Sequence, residues 1–82
     1  MDTPAGFEIQ AMSDEGYENL IVEVLYKGEF CFLVSQEDGL ENLRVAIYPR
    51  KNGEPWDFGV NELDAVLKKA AFRLWELRRM PE

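Results

Sequence analysis

The sequence predicts an α+β domain, an antiparallel meander of about four strands with one C-terminal helix packed on one face. Three observations predict it. Short alternations of apolar and polar residues fill positions 7–48, each bounded by turn residues, and a period of two is that of a strand with one buried side. Residues 61–80 instead repeat at three- and four-residue steps, through Leu63, Val66, Leu67, Ala70, Ala71, Leu74 and Leu77, which is one stripe of a helix. The links between the strand-like runs are short, so consecutive strands become neighbours in the order 1-2-3-4. A one-sided sheet and a one-striped helix bury each other's apolar surface in two layers.

Each element has its own justification. Residues 1–5 read as a frayed lead-in to a first strand, where Phe7, Ile9 and Ala11 alternate with Glu8 and Gln10. Ser13-Asp14-Glu15-Gly16 is a polar turn. Leu20–Tyr26 and Phe30–Ser35 form the second and third strands, joined at Tyr26-Lys27-Gly28. A two-residue loop there sets Glu23 opposite Phe32. A three-residue loop ending at a left-handed Gly28 instead gathers Leu20, Val22, Val24, Phe30, Phe32 and Val34 on one face. Ile21, Glu23, Leu25, Glu29, Cys31 and Leu33 then share the other. A one-residue slip moves a strand's whole apolar set, so the segregated register and its three-residue loop are expected. Gln36–Asn42 makes the next turn, and Leu43, Val45 and Ile47 alternate with Arg44, Ala46 and Tyr48 in a fourth strand that Pro49 ends. Positions 49–59 form a breaker-rich loop with room for a short extra strand around Trp56–Phe58. No internal repeat and no low-complexity tract is read in the chain.

The helix is expected to start at Asn61 as N-cap, just after Gly59, with Glu62 and Asp64 in its first turn. Lys68, Lys69, Arg73, Arg78 and Arg79 occupy its second half, where the macrodipole favours cations, and Pro81 follows its end. With Leu63 as reference, Trp75 projects at about 120° and Phe72 at about 180°. Trp75 is expected to fold over the stripe's edge onto the sheet. Phe72 stands away from the core among Lys68, Lys69, Glu76 and Arg79, which makes it a candidate contact for a partner.

Eighty-two residues make one domain, 1–82. No apolar run approaches the ~20 residues that span a bilayer. Met1-Asp2-Thr3-Pro4 shows no basic region followed by an apolar stretch, so no secretory leader is expected. A single cysteine, Cys31, suits a reducing compartment. The expected location is the cytoplasm. Charge is uneven: residues 1–41 carry ten acids against Lys27 alone, a net of −9, while residues 42–82 net +2. Such a surface repels phosphate backbones and anionic lipid, so neither nucleic acid nor membrane is an expected partner, and a basic protein is.

Chemistry is excluded largely by what is missing. With no histidine in the chain, the commonest general base and every His-activated nucleophile are gone. Cys31 sits mid-strand without a basic neighbour in sequence, as a small hydrophobe does. The glycines do not form a phosphate loop, and the acidic turns lack the spacing of a calcium loop. The chain is therefore read as no enzyme, with no cofactor and no metal. Partner-binding candidates remain. Glu37 and Asp38 lie in an acidic turn. Arg50, Trp56 and Phe58 share a loop rich in interface residue types, although the two aromatics suit a plug between helix and sheet. Ile21, Leu25 and Leu33 leave the second sheet face half apolar, which calls for cover by a chain segment or a second copy.

Around Val34-Ser35-Gln36-Glu37-Asp38-Gly39-Leu40-Glu41-Asn42-Leu43, the text resembles small, mostly uncharacterised bacterial proteins. The resemblance spans residues 17–48. Those proteins are strand meanders with a C-terminal helix, some taken to be immunity partners of secreted toxins. The resemblance implies an immunity role and carries over no catalytic residue. The expected function is a non-enzymatic protein-binding module for a basic partner. The alternative is a homo-oligomeric structural or accessory protein, a homodimer at its simplest, pairing through the second sheet face or the outer helix face.

Overall fold

The computed structural model describes residues 3–79 and is the expected meander with its helix. β1 (Phe7–Met12), β2 (Ile21–Tyr26), β3 (Glu29–Ser35) and β4 (Arg44–Ile47) form one antiparallel sheet in the order β1-β2-β3-β4, followed by α1 (Val60–Arg79). Pro81 and the first two residues lie outside the described residues. Within the expected lead-in, residues 3–6 make a turn in which the Phe7 N–H donates to the Pro4 carbonyl at 3.2 Å. Gly6 then enters β1 at φ +89°, where an added Cβ would stand 2.9 Å from the Tyr26 ring. Only glycine fits both constraints.

The β2–β3 hairpin reaches the expected segregation by another route. Tyr26 pairs with Glu29, so the loop has two residues, Lys27 and Gly28. Both have positive φ, 50° and 83°, the type I′ geometry whose twist matches that of the strands. A regular ladder from this turn would set Glu23 against Phe32. Instead the register shifts between Val24 and Leu25: Leu25 faces Phe30, whereas Val24 faces Phe32 and Val22 faces Val34. One extra residue in β3, Cys31, is a β-bulge that restores the apolar pairing. The three-residue loop is thus corrected to a two-residue loop plus a bulge. Phe30 moves to the second face, its ring 5.0 Å from Tyr48, and Cys31 joins the core.

The sheet also contains a repeat that the sequence reading missed. Asp14-Glu15-Gly16-Tyr17-Glu18-Asn19-Leu20 and Glu37-Asp38-Gly39-Leu40-Glu41-Asn42-Leu43 follow the same pattern 23 residues apart. The structure gives both copies the same strand register. Ala11 faces Val22 and Val34 faces Val45; Ile9 faces Val24 and Phe32 faces Ile47. The sheet is therefore two equivalent hairpins joined at the Lys27-Gly28 turn. The likeness is concentrated in the links, because the strands of an inner and an edge position meet different neighbours.

α1 packs on β1 and β2, the first hairpin. Val66, Ala70 and Leu74 are fully buried at its centre, against Phe7, Val22, Val24, Phe32 and Val34. Burying each large apolar side chain contributes about 1.5–3 kcal/mol. Leu63 and Leu67 are half-buried flanks. The N-cap is Gly59 rather than Asn61: its carbonyl accepts from the Leu63 N–H at 3.0 Å, and its own N–H donates to Glu62 Oε1 at 3.2 Å. That reach-back is half of a capping box, and it fixes the start two residues earlier.

At the end near the Lys27-Gly28 turn, Trp56 stacks on Phe58 at 5.6 Å. The Phe58 ring lies 5.0 Å from Phe7 and 5.1 Å from Tyr26. The Trp56 indole N–H donates to the Tyr48 carbonyl at 2.7 Å. Both aromatics plug the core, and among the described residues no strand forms at 56–58. On the second sheet face Ile21 is fully buried, Leu33 is 5% exposed and Leu25 is half-buried. Ile21 and Leu33 are thereby corrected from partner candidates to interior residues. They sit on inner strands, Ile21 beside Met12 and Leu33 between Glu23 and Ala46.

Candidate functional site

A meander places alternate links at the same end, so the two acidic turns meet. The Glu37 carboxylate joins them: Oε1 accepts from the Glu18 N–H at 2.7 Å, and Oε2 accepts from the Asn19 N–H at 3.1 Å and the Asn19 side-chain amide at 3.0 Å. Gln36 donates to the Leu20 carbonyl at 2.9 Å alongside. These bonds, the Glu18 N–H first, hold the Glu37 carboxyl below the usual carboxylate range. Asp14, Glu15, Glu18, Glu37, Asp38 and Glu41 so come to one end, on two loops that contain no basic residue.

Beside these loops lies an apolar groove of about 510 Å³, lined by Leu40, Leu43, Lys68, Ala71, Phe72 and Trp75. A second hollow of about 580 Å³ adjoins it, lined by Asn19 and residues 36–42 and again by Trp75. Leu40 and Trp75 belong to both. Trp75 does not fold onto the sheet as expected. It is 41% exposed, with its ring stacked toward Phe72 at 6.2 Å and 24°. The reason is geometric: α1 covers the first hairpin, and the side of the helix bearing Trp75 faces the 36–43 link across open space. Phe72 is 53% exposed, as its place on the wheel requires.

No family model, curated protein or solved structure matches the chain.

The candidates read from sequence therefore divide by place. Phe72, Glu37 and Asp38 gather at the acidic end. Arg50, Trp56 and Phe58 occupy the opposite end, where they hold the 49–58 loop in position. The Arg50 guanidinium lies 4.9 Å over the Trp56 ring and 3.6 Å from Glu29, whose carboxylate also accepts the Lys51 N–H at 3.2 Å. Leu25 lies on the far sheet face. Leu40, Leu43, Ala71 and Trp75 were missed as site residues. The meander's topology and the repeated link could have found the first two, because both mark residues 36–43 as the companion of 13–20.

Burial, helped by the Glu29 carboxylate and opposed by Arg50, pushes the Cys31 thiol up to about 11, so it stays protonated and unreactive at neutral pH. Among the described residues no three His, Cys, Asp or Glu side chains converge to hold a metal. None of the helices is long and apolar enough to cross a membrane, among the described residues. What the acidic end offers is an aromatic and aliphatic groove edged by Lys68, beside a hollow lined by Glu37, Asp38 and Glu41. Lys68 and Arg73 do not cancel that charge directly, since they pair along the helix with Asp64 and Glu76 at 3.0 and 3.7 Å.

Proposed function

We propose that the chain is a non-enzymatic, cytoplasmic protein-binding module that takes a basic protein on its acidic end. One observation carries the reading: Trp75 lines both an apolar groove and an acid-rimmed hollow. Apolar and aromatic anchors supply affinity at interfaces, while a rim of one charge sets partner and on-rate. An acidic rim disfavours nucleic acid and anionic membrane, and favours lysine- and arginine-rich protein. An immunity-type partner of a basic toxin is the sharpest version of this reading, and it is what the sequence resemblance implies. Self-association through the outer helix face is the second reading, favoured by the exposed Phe72 and opposed by the net charge of −7 on each copy.

The test compares variants. Immobilised wild-type chain, Phe72→Glu, Trp75→Glu and a distal control, Glu54→Ala, are challenged with extract from the native cell. The reading expects a basic protein held by wild type and control, and lost from both groove variants. Capture that ignores the groove would overturn it. Light scattering that shows a dimer dissociated by Phe72→Glu would transfer the function to self-association.

A further inference from the structure

The two hairpins are equivalent in register, but only one carries a helix. On the first, Val22 and Val24 are fully buried beneath α1. Their counterparts on the second, Val45 and Ile47, point to the same side of the sheet through their pairing with Val34 and Phe32, yet are 44% and 68% exposed. Width explains the difference. Four strands at about 4.8 Å spacing make a sheet nearly twice as broad as one helix of about 10 Å diameter. Phe32 and Val34 of β3 are only 2% exposed, in the same core as Val66, Ala70 and Leu74, so the strip left open runs along β4.

We propose that the open strip along β4 takes an amphipathic helix of the partner protein, lying alongside α1 with a basic end at the 36–41 loop. The inference rests on the functional reading above and specifies what part of the partner binds. Three features fix the occupant. Lys68, Ala71, Phe72 and Trp75 line the groove at steps of three, one and three, the seam that one helix offers to a neighbouring helix. Leu40 and Leu43 floor the groove, and Val45 and Ile47 stand exposed on the same side of the sheet along β4. Glu37, Asp38 and Glu41 line the hollow that adjoins the groove, and charge complementarity sets the polarity of the occupant's end there. A second copy's α1 does not fill the strip by simple docking, since its apolar stripe is already buried on its own first hairpin.

The probe is a synthetic peptide reproducing residues 59–79, which carries the required stripe and basic end, added to the intact isotope-labelled chain. The expected result is saturable binding, with shifts at Leu43, Val45, Ile47, Ala71, Phe72 and Trp75. Ile47→Glu in the chain should weaken it at least ~tenfold, as should Ala70→Pro in the peptide, or glutamate at its five basic positions; tenfold is about 1.4 kcal/mol. Equal binding by the proline-broken peptide would overturn the helix, and equal binding by the acidic one would overturn the charge assignment. Shifts centred on Ile9 and Val24 would mean the peptide displaces α1 instead, and absence of binding would also sink the proposal. Should capture of a basic protein depend on Phe72 but not on Ile47, this inference falls while the binding function stands.

Discussion

Lys27 shows how a single backbone angle weighs against a side-chain contact. It is the one non-glycine residue at positive φ among the described residues, and a left-handed conformation costs an ordinary residue about 1–2 kcal/mol. Its ammonium lies 5.4 Å from the centre of the Tyr26 ring, worth about 0.5–1 kcal/mol at an exposed site. The backbone cost is the larger. Lys27→Asn should therefore raise stability by roughly 0.5 kcal/mol, since asparagine is the preferred partner of glycine in this turn. A thermal melt that moves downward would show that the cation contact dominates. Glu37 gives the corresponding pH argument. Its folded pKa is depressed, so its contribution is fully present above the unfolded value and is lost as pH falls through the folded one. The Glu18 and Asn19 amide resonances should titrate together in acid with a midpoint below that of free glutamate, and Glu37→Gln should abolish that titration. A midpoint at the ordinary value would contradict the hydrogen-bonded geometry.

Within α1 the sequence and the structure weight the stripe differently. The periodicity places Leu67 and Leu74 on the same arc, but Leu74 is fully buried and Leu67 only half. Leu74→Ala should cost about 2–5 kcal/mol, the range for a buried leucine. Leu67→Ala should cost about 1–2 kcal/mol, because less of its apolar area leaves water on folding. Urea melts that rank the two in reverse would mean the helix is rotated from this packing. The strands and the helix were legible because alternation and the 3.6-residue step survive in the sequence. The bulge at Cys31 was not. A longer loop and a bulge both restore the pairing of Val24 with Phe32, and hydrophobic pattern alone cannot distinguish them. The cap was misplaced for a related reason: asparagine propensity pointed to position 61, whereas Glu62 reaching back to Gly59 depends on side-chain geometry.

At the scale of the whole molecule, Val45, Ile47, Phe72 and Trp75 are exposed apolar residues on the helix side of the sheet, while Ile21 and Leu33 on the second face are buried. The site was half legible. Phe72 and the acids could be named from sequence, but their meeting is a property of topology, as alternate links of a meander share an end. Trp75 was misassigned because a wheel angle of about 120° marks the edge of the stripe without saying what lies beyond it. Phe72 separates binding from folding most directly. Its ring is 53% exposed and outside the buried core, so Phe72→Glu should shift stability by no more than about 0.5 kcal/mol and leave helical circular dichroism unchanged. The same carboxylate would project into an apolar groove and add to the acidic rim, so a basic helix seated there would meet a desolvated charge in place of an aromatic anchor. Unfolding of the variant would mean that α1 is packed on two sides, in conflict with the open groove. Unchanged stability with unchanged binding would make Phe72 an ordinary exposed aromatic. Unchanged stability with lost binding places the interface on this face of the helix.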